Sequence, residues 1–378
     1  MNRPARRTLL ACILVAVLSV SASAQLPAHN NRPATAHDAQ PAPPLHKWAV
    51  VLHAGAGDIT PASVPPALQQ QYRNGLRAAL NAAAAVLRNG GSSLDAVQSA
   101  IEVMEDNPLF NAGRGSVFAA DGTNQMDAAI MDGATMRAGA VADVQHTRHP
   151  IALARAVMDK TRWVLISGQG ADDFSLAAGL QQEPSSFFFT ESRWDALVRQ
   201  LKQEKLPIPP RPIGAPPPPA PTSASAALAP LPETPADHNY GTVGVVALDV
   251  NGNIAAGTST GGLTAKRWDR IGDSPLIGAG TYASNQSCAV SGTGIGEYFI
   301  RYTVARTVCA LVQYRHMRLQ TAANRVIQRE LAPIHGDGGV IAITPDGQIA
   351  WSFNTPGMFR ASLRQGGKPR IALFKNEP

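Results

Sequence analysis

Gly241-Thr242-Val243-Gly244 leads into the apolar run Val245-Val246-Ala247-Leu248. A threonine thus stands between two glycines at the head of a run that reads as a buried strand. Just upstream, residues 206–235 hold twelve prolines, four of them consecutive from Pro216 to Pro219. Proline lacks a backbone donor and cannot serve inside a helix or a central strand, so the tract predicts an extended, exposed segment. An exposed tract that ends at a Gly-Thr step suggests a backbone cut that makes Thr242 a new N-terminus. The plainer alternative is a linker between two independent domains, with Thr242 merely starting a strand, where threonine is common.

Chemistry separates the two readings. A threonine hydroxyl is a weak nucleophile unless a base takes its proton. An α-amine on the same residue can do so, because its pKa of about 7.7–8.0 lies near working pH. Only an N-terminal threonine has that amine. Gly241 suits a strained scissile bond.

The residues after Thr242 strengthen this reading. Asp249-Val250-Asn251-Gly252 is a hairpin turn signal between strands at Thr242 to Leu248 and Asn253 to Thr258. A tight hairpin returns Thr258-Ser259-Thr260-Gly261-Gly262 to the start of the first strand, so the Thr260 hydroxyl is expected beside Thr242. Arg270 and Asp273 follow in Trp268-Asp269-Arg270-Ile271-Gly272-Asp273-Ser274-Pro275. A guanidinium grips a carboxylate in bidentate fashion and a carboxylate holds an ammonium, a pairing suited to the zwitterionic end of an amino acid. A surface ion pair is the plainer use of the same two residues. Ser291-Gly292-Thr293-Gly294-Ile295-Gly296-Glu297 is a glycine loop from strand to helix. It misses the dinucleotide spacing by one residue. Its other use is to bind an oxyanion or a substrate carbonyl near a helix N-terminus.

The rest of the chain reads as follows. Residues 1–24 combine Arg3, Arg6 and Arg7, an apolar core from Leu9 to Leu18, and Ala22-Ser23-Ala24, the pattern of a secretory signal peptide. Export to a periplasm or a secreted pool is expected. Residues 25–47 lack apolar periodicity and read as a disordered lead-in. Strands are expected at Trp48 to Leu52, Ser116 to Ala119, Asn124 to Asp132, Met136 to Val141, Trp163 to Gly168, Ser287 to Ser291, Val340 to Ile343 and Ile349 to Phe353. Helices are expected from about Pro66 to Arg88, after a Ser93 cap, from Pro150 to about Lys160, over Ala171 to Gly179, over Glu191 to Gln203, in one long span from Glu297 to about His316, and from Leu319 to Leu331. Neither half has enough strands to close a sheet alone. One α+β sheet system shared across the proline tract is inferred.

The formal charge of +6 includes the three signal arginines, and no long basic run remains. Nucleic acid and membrane surfaces are therefore not expected as partners. Of three cysteines, removal of the signal leaves Cys288 and Cys309, which could pair, although two cysteines imply no disulfide framework. The histidines match no zinc spacing.

These motifs together resemble the plant-type L-asparaginase and isoaspartyl peptidase family of N-terminal nucleophile hydrolases. The matching pieces are Gly241 to Gly244, Thr258 to Gly262, Arg270 to Pro275 with Gly278-Ala279-Gly280, and Ser291 to Glu297. His53-Ala54-Gly55-Ala56-Gly57, Asn107 to Gly113, Met131-Asp132-Gly133, Gly336 to Gly339 and Phe353-Asn354-Thr355 match as well. The resemblance covers about residues 48–200 and 239–362. It implies a four-layer αββα sandwich and self-cleavage between Gly241 and Thr242. The products would be an α chain (48–241, with a disordered proline-rich tail at about 204–238) and a β chain (242–378).

By the same resemblance, Thr242 is nucleophile and base, Thr260 assists it, and Asn111 positions it. Arg270 and Asp273 hold the substrate's α-carboxylate and α-amine. Thr293 and Gly294 line the oxyanion site, and Gly296 touches the substrate's charged end. Catalysis needs no cofactor. Backbone carbonyls of Met104, Glu105, Asn107, Phe110, Ala112 and Arg114 are implied to hold a structural sodium ion, and the αβ units to pair as a homodimer. The substrates implied are L-asparagine and β-aspartyl dipeptides. A glycosylasparaginase and an uncleaved, inactive binding protein are the competing readings. Gly261-Gly262 favours the asparaginase branch over the former.

Overall fold

The computed structural model describes residues 46–218 and 241–377. The expected signal peptide, nearly all of the lead-in and the tract from 219 to 240 lie outside the described residues. Among the described residues twelve strands occur in chain order: β1 (Ala49–Gly57), β2 (Met126–Asp132), β3 (Ala138–Val144), β4 (Leu165–Ser167), β5 (Val243–Leu248), β6 (Ile254–Thr260), β7 (Thr281–Ala283), β8 (Ala289–Gly294), β9 (Gly338–Ile343), β10 (Ile349–Phe353), β11 (Gly357–Arg364) and β12 (Arg370–Phe374). The α-helices are α1 (Pro66–Arg88), α2 (Ser93–Glu105), α3 (Pro150–Lys160), α4 (Gly168–Ala177), α5 (Ser185–Phe188), α6 (Glu191–Gln203), α7 (Gly296–Arg301), α8 (Val304–Arg315) and α9 (Leu319–Asn324).

The strands form two sheets. One has eight strands in the order β12-β11-β1-β5-β6-β2-β3-β4, and the other has four in the order β10-β9-β8-β7. The large sheet interleaves strands from before and after the proline tract. β5 lies antiparallel between β1 and β6, with Ala49 opposite Leu248 and Val243 opposite Ser259. A cut before Thr242 would therefore leave both fragments locked in one sheet, which excludes two independent domains.

Period-two alternation explains why the strands of the large sheet are apolar on both faces. On β1, Val50, Leu52 and Ala54 join the core shared with α1 and α2, including fully buried Leu76 and Leu80. Ala49, Val51 and Ala56 face the other way, into the core shared with the second sheet and α8–α9. Each fully buried leucine contributes about 1.5–3 kcal/mol. The layers run helix, sheet, sheet, helix: the four-layer α+β sandwich.

Local chemistry sets the ends. Ser92, not Ser93, caps α2, its hydroxyl accepting the Asp95 N–H at 3.1 Å. Ser93 is buried and gives its N–H to Asp249 Oδ2 at 3.0 Å. The other oxygen of Asp249 accepts N–H bonds from Asn251 (2.9 Å) and Asn253 (3.0 Å), which closes the β5–β6 turn. That turn returns the end of β6 beside the start of β5.

Several expected elements differ. Residues 116–119 run extended but join no sheet; Asn124 Nδ2 takes the Ser116 and Val117 carbonyls instead, at 3.0 and 3.1 Å. The long helix from Glu297 breaks at Thr303, whose φ is +43°. The break frees the first N–H groups of α8 to bond Ala279 O (3.0 Å) and Gly278 O (2.9 Å). The next helix widens into a π-helix over Arg325–Leu331. β7, β11 and β12 were not expected. Over its described part the proline tract forms no helix or strand, and it is anchored: Arg211 pairs with Glu191 and lies 4.7 Å over the Phe189 ring.

Candidate active site

The hairpin places the two threonines together. Thr242 Oγ1 donates to Thr260 Oγ1 at 3.1 Å, and Thr260 Oγ1 donates to the Gly241 carbonyl at 3.1 Å. The Gly262 N–H donates to Thr260 Oγ1 at 3.0 Å, which orients that hydroxyl. Asn111, 2% exposed, reaches the same Gly241 carbonyl with Nδ2 at 2.7 Å. Its Nδ2 also donates to Gly262 O (2.8 Å), and its Oδ1 accepts the Val117 N–H (3.0 Å). The amide is thereby locked in one orientation. Close approach requires glycine here: a Cβ on Gly241 would lie 2.6 Å from Asn111 Cβ, and one on Gly261 would lie 2.6 Å from its Oδ1. The carbonyl preceding Thr242 thus has two donors aimed at its oxygen, and the Thr242 hydroxyl has a defined proton acceptor.

Thr242, Thr260, Arg270, Asp273 and Gly294 line one narrow cleft. Arg270 does not pair with Asp273. Its Nε and Nη2 grip Glu297 at 2.9 and 3.0 Å, a bidentate pair across the first turn of α7. Burial alone would raise the Glu297 carboxyl, but the Arg270 bonds outweigh it and hold the pKa below the usual range. Asp273 is buried, and its Oδ2 has no partner among the described residues. Burial pushes its carboxyl up to about 7, with Arg270 opposing. An unpaired buried carboxylate is costly and calls for a cation. Gly296 makes room for both groups: a Cβ there would meet Arg270 Nη2 at 2.7 Å and Asp273 Oδ1 at 2.9 Å. The Thr293 hydroxyl is likewise buried without a partner among the described residues.

Beneath Arg270 lie two buried charges that sequence reasoning passed over. Lys266, 6% exposed, donates from Nζ to Gln125 O at 2.8 Å. Burial lowers its ammonium pKa, and Asp127 opposes that shift. Asp127 is itself raised by burial, with Lys266 opposing. The only cue in the sequence was a lone lysine in a stretch otherwise read as loop. Glu297 had a clearer cue, as the acid that ends the glycine loop.

The loop expected to hold sodium packs tightly on itself. A Cβ on Gly113 would lie 2.4 Å from Glu105 O, and one on Gly115 would lie 2.1 Å from Phe110 O. Met104, Asn107 and Ala112 carbonyls accept backbone N–H bonds within the loop. Arg114 turns its guanidinium over the Phe187 ring, 5.4 Å from the centroid. Uncharged oxygens suit a hard cation. Among the described residues no group of three or more His, Cys, Asp and Glu could hold a metal ion. No helix among them is long and apolar enough to cross a membrane.

A four-layer sandwich with a threonine at the head of a central strand is the arrangement of an N-terminal nucleophile hydrolase. The chain matches the family described as asparaginase over residues 46–373 and belongs to it. It is 41% identical over 333 residues to the isoaspartyl peptidase of Escherichia coli strain K12, spanning 88% of this chain and 98% of that one. It is 39% identical over 331 residues to the isoaspartyl peptidase of Salmonella typhimurium (88% and 100%). It is 35% identical over 317 residues to the isoaspartyl peptidase/L-asparaginase of Rattus norvegicus (84% and 86%).

Proposed function

We propose that this protein cuts itself between Gly241 and Thr242 and then hydrolyses L-asparagine and β-aspartyl dipeptides with Thr242 as nucleophile. The observation that carries this reading is the Gly241 carbonyl, held at 2.7 Å by Asn111 and at 3.1 Å by Thr260, next to a Thr242 hydroxyl bonded to Thr260. In the cut, Thr242 Oγ1 adds to the Gly241 carbonyl carbon and passes its proton toward Thr260. Asn111 and Thr260 steady the charge on the oxygen. The peptide C–N bond breaks, the α-amine of Thr242 takes a proton, and water hydrolyses the resulting ester to a Gly241 carboxylate.

The mature site then works on substrate. Asp273 receives the substrate ammonium, which supplies the missing partner of its Oδ2. Arg270, steered by Glu297, receives the α-carboxylate on its free guanidinium edge. The Thr242 amine takes the hydroxyl proton as Oγ1 attacks the side-chain carbonyl, whose oxygen faces Thr293 and Gly294. Ammonia or a peptide amine leaves with a proton, and water releases aspartate and regenerates the threonine.

The reading extends to setting. The Cys288–Cys309 disulfide (Cα–Cα 5.3 Å) and the signal-like residues 1–24 support export to a periplasm or a secreted pool. The carbonyls of Met104, Glu105, Asn107, Phe110, Ala112 and Arg114 would hold a sodium ion that stiffens the loop carrying Asn111 and takes no part in the reaction. Pairing of αβ units as a homodimer completes the proposal. The test is aspartate release from asparagine and from a β-aspartyl dipeptide by wild type and Thr242→Ala. Wild type is expected to hydrolyse both substrates and Thr242→Ala neither. An active variant would refute the mechanism.

A further inference from the structure

His53 is fully buried and has no part in the steps above. We propose that His53 is a positioning residue that grips Thr242 by its backbone carbonyl while the hydroxyl and amine react, and that residue 244 is glycine because this grip needs the space. The inference rests on the hydrolase reading.

His53 Nδ1 lies 3.0 Å from the Thr242 carbonyl oxygen. A carbonyl only accepts, so the proton is on Nδ1. Burial drives the imidazole pKa down to about 3, against the pull of the Thr242 carbonyl, and keeps the ring neutral. A neutral ring has one N–H, so Nε2 must accept, and Ser291 Oγ donates to it at 2.9 Å. Ser291 has then spent its single proton. Thr258 Oγ1, 2.7 Å away, must donate to Ser291, and Thr281 Oγ1 must donate to Thr258 at 2.6 Å. The line Thr281→Thr258→Ser291→His53→Thr242 therefore runs one way, with the Ser274 carbonyl (3.0 Å) and the Gly280 carbonyl (3.4 Å) as second acceptors for Thr281 and Thr258. It starts on β7, passes through β6, β8 and β1, and ends on Thr242 at the head of β5, crossing the space between the two sheets. All four donors are buried. A line of aligned donors polarises itself and strengthens each bond.

Thr242 needs such a grip. The ladder of β5 with β1 ends at Ala54 opposite Val243, and its ladder with β6 ends at Val243 opposite Ser259. Thr242 lies one residue beyond both. Before the cut, Gly241 tethers it, and the Asn111 and Thr260 bonds hold Gly241. After the cut those two bonds belong to the departed chain end, and a free terminus frays. The Oγ1 bond to Thr260 is disturbed whenever Oγ1 attacks. The His53 bond holds the backbone of Thr242 itself and persists throughout. Gly244, directly opposite His53 in the ladder, leaves the junction open. A Cβ there would lie 1.9 Å from Ser291 Oγ and 2.3 Å from His53 Nε2. The second glycine of Gly-Thr-Val-Gly thus has a spatial reason.

The test uses cleaved protein, with active sites counted as free Thr242 N-termini. Wild type is compared with His53→Leu, which removes the donor, and His53→Asn, which keeps an amide N–H near the place of Nδ1. His53→Leu should lower kcat on the order of 10²-fold while KM stays within about twofold, the mark of a misplaced nucleophile over an intact binding pocket. His53→Asn should regain at least about tenfold of that loss. In parallel, amide exchange in the peptide starting at Thr242 should accelerate in His53→Leu. If His53→Leu does not fold, Ser291→Ala replaces it: with the donor to Nε2 gone, the Nδ1–H bond to Thr242 loses its polarising support, and kcat should fall about three- to tenfold at unchanged KM. Unchanged kcat, or equal losses in His53→Asn and His53→Leu, overturns the proposal. If wild type is cut yet hydrolyses neither substrate, the hydrolase reading fails. The exchange comparison then still decides whether His53 grips Thr242, unchanged exchange counting against it.

Discussion

Asn111→Asp tests the cut at its most exposed point. The substitution keeps the shape and the oxygen that accepts the Val117 N–H at 3.0 Å. It removes the two donated bonds, to Gly241 O at 2.7 Å and Gly262 O at 2.8 Å. The oxygen on which charge develops then keeps one donor, Thr260 at 3.1 Å, and faces a carboxylate in place of the amide N–H. Loss of one of two such donors slows acyl transfer by about 10²–10³-fold, or about 2.7–4 kcal/mol of barrier. Loss of the bond to Gly262 costs folding about 1 kcal/mol, and the buried carboxyl, which then faces two carbonyl oxygens, adds a further folding cost that the melt must read. The assay is a time course of the intact chain and its two fragments on a denaturing gel, from freshly refolded protein, with a thermal melt run beside it. A folded variant that still matures at the wild-type rate would refute the idea that Asn111 and Thr260 together hold the scissile carbonyl.

Further outcomes follow from neighbouring residues. Glu297→Gln should raise KM about three- to tenfold and leave kcat and Tm nearly unchanged, because Glu297, itself half-exposed, orients Arg270 and contributes little stability. Asp273 has a folded pKa of about 7, raised by burial above its unfolded value. Its charged form therefore costs stability that is present below the unfolded pKa and lost as pH rises through 7. Ligand-free Asp273→Asn should accordingly melt higher than wild type at pH 8, and the gap should close toward pH 4. Conversely, the carboxylate is needed for the ammonium, so product aspartate should inhibit wild type less well as pH falls below about 7. Replacing Cys288 and Cys309 by serine should cost about 3 kcal/mol, the chain-entropy value for their 21-residue separation, at unchanged kcat.

Much of the site was legible because its chemistry sits in short motifs that local rules can place. The turn at Asp249 to Gly252 fixes the hairpin, and the hairpin alone puts Thr260 beside Thr242. The single shared sheet was also legible, from a shortage of strands on either side of the prolines. What stayed hidden depends on distant contacts. The partner of Arg270 is Glu297, 27 residues away in sequence, and no spacing rule joins them. β11 begins at Gly357, and β11 and β12 carry Arg360 and Arg370 among their residues, which masks the alternation of strands that cover one edge of a sheet. The break at Thr303 answers to the carbonyls of Gly278 and Ala279, which helical periodicity does not register. His53 stood inside a motif whose glycines drew the attention. Its role emerges only when β1, β6, β7 and β8 are assembled around it.

The central claim is that Thr242 becomes an N-terminal residue and that its amine serves the reaction. Intact-mass measurement of the purified protein, with sequencing of its fragments from their N-termini, reads this directly. Two chains are expected, the C-terminal one beginning at Thr242, and a single uncut chain without activity is expected for Thr242→Ala. A fully active wild-type protein that remains one chain, or is cut at another bond, would contradict it.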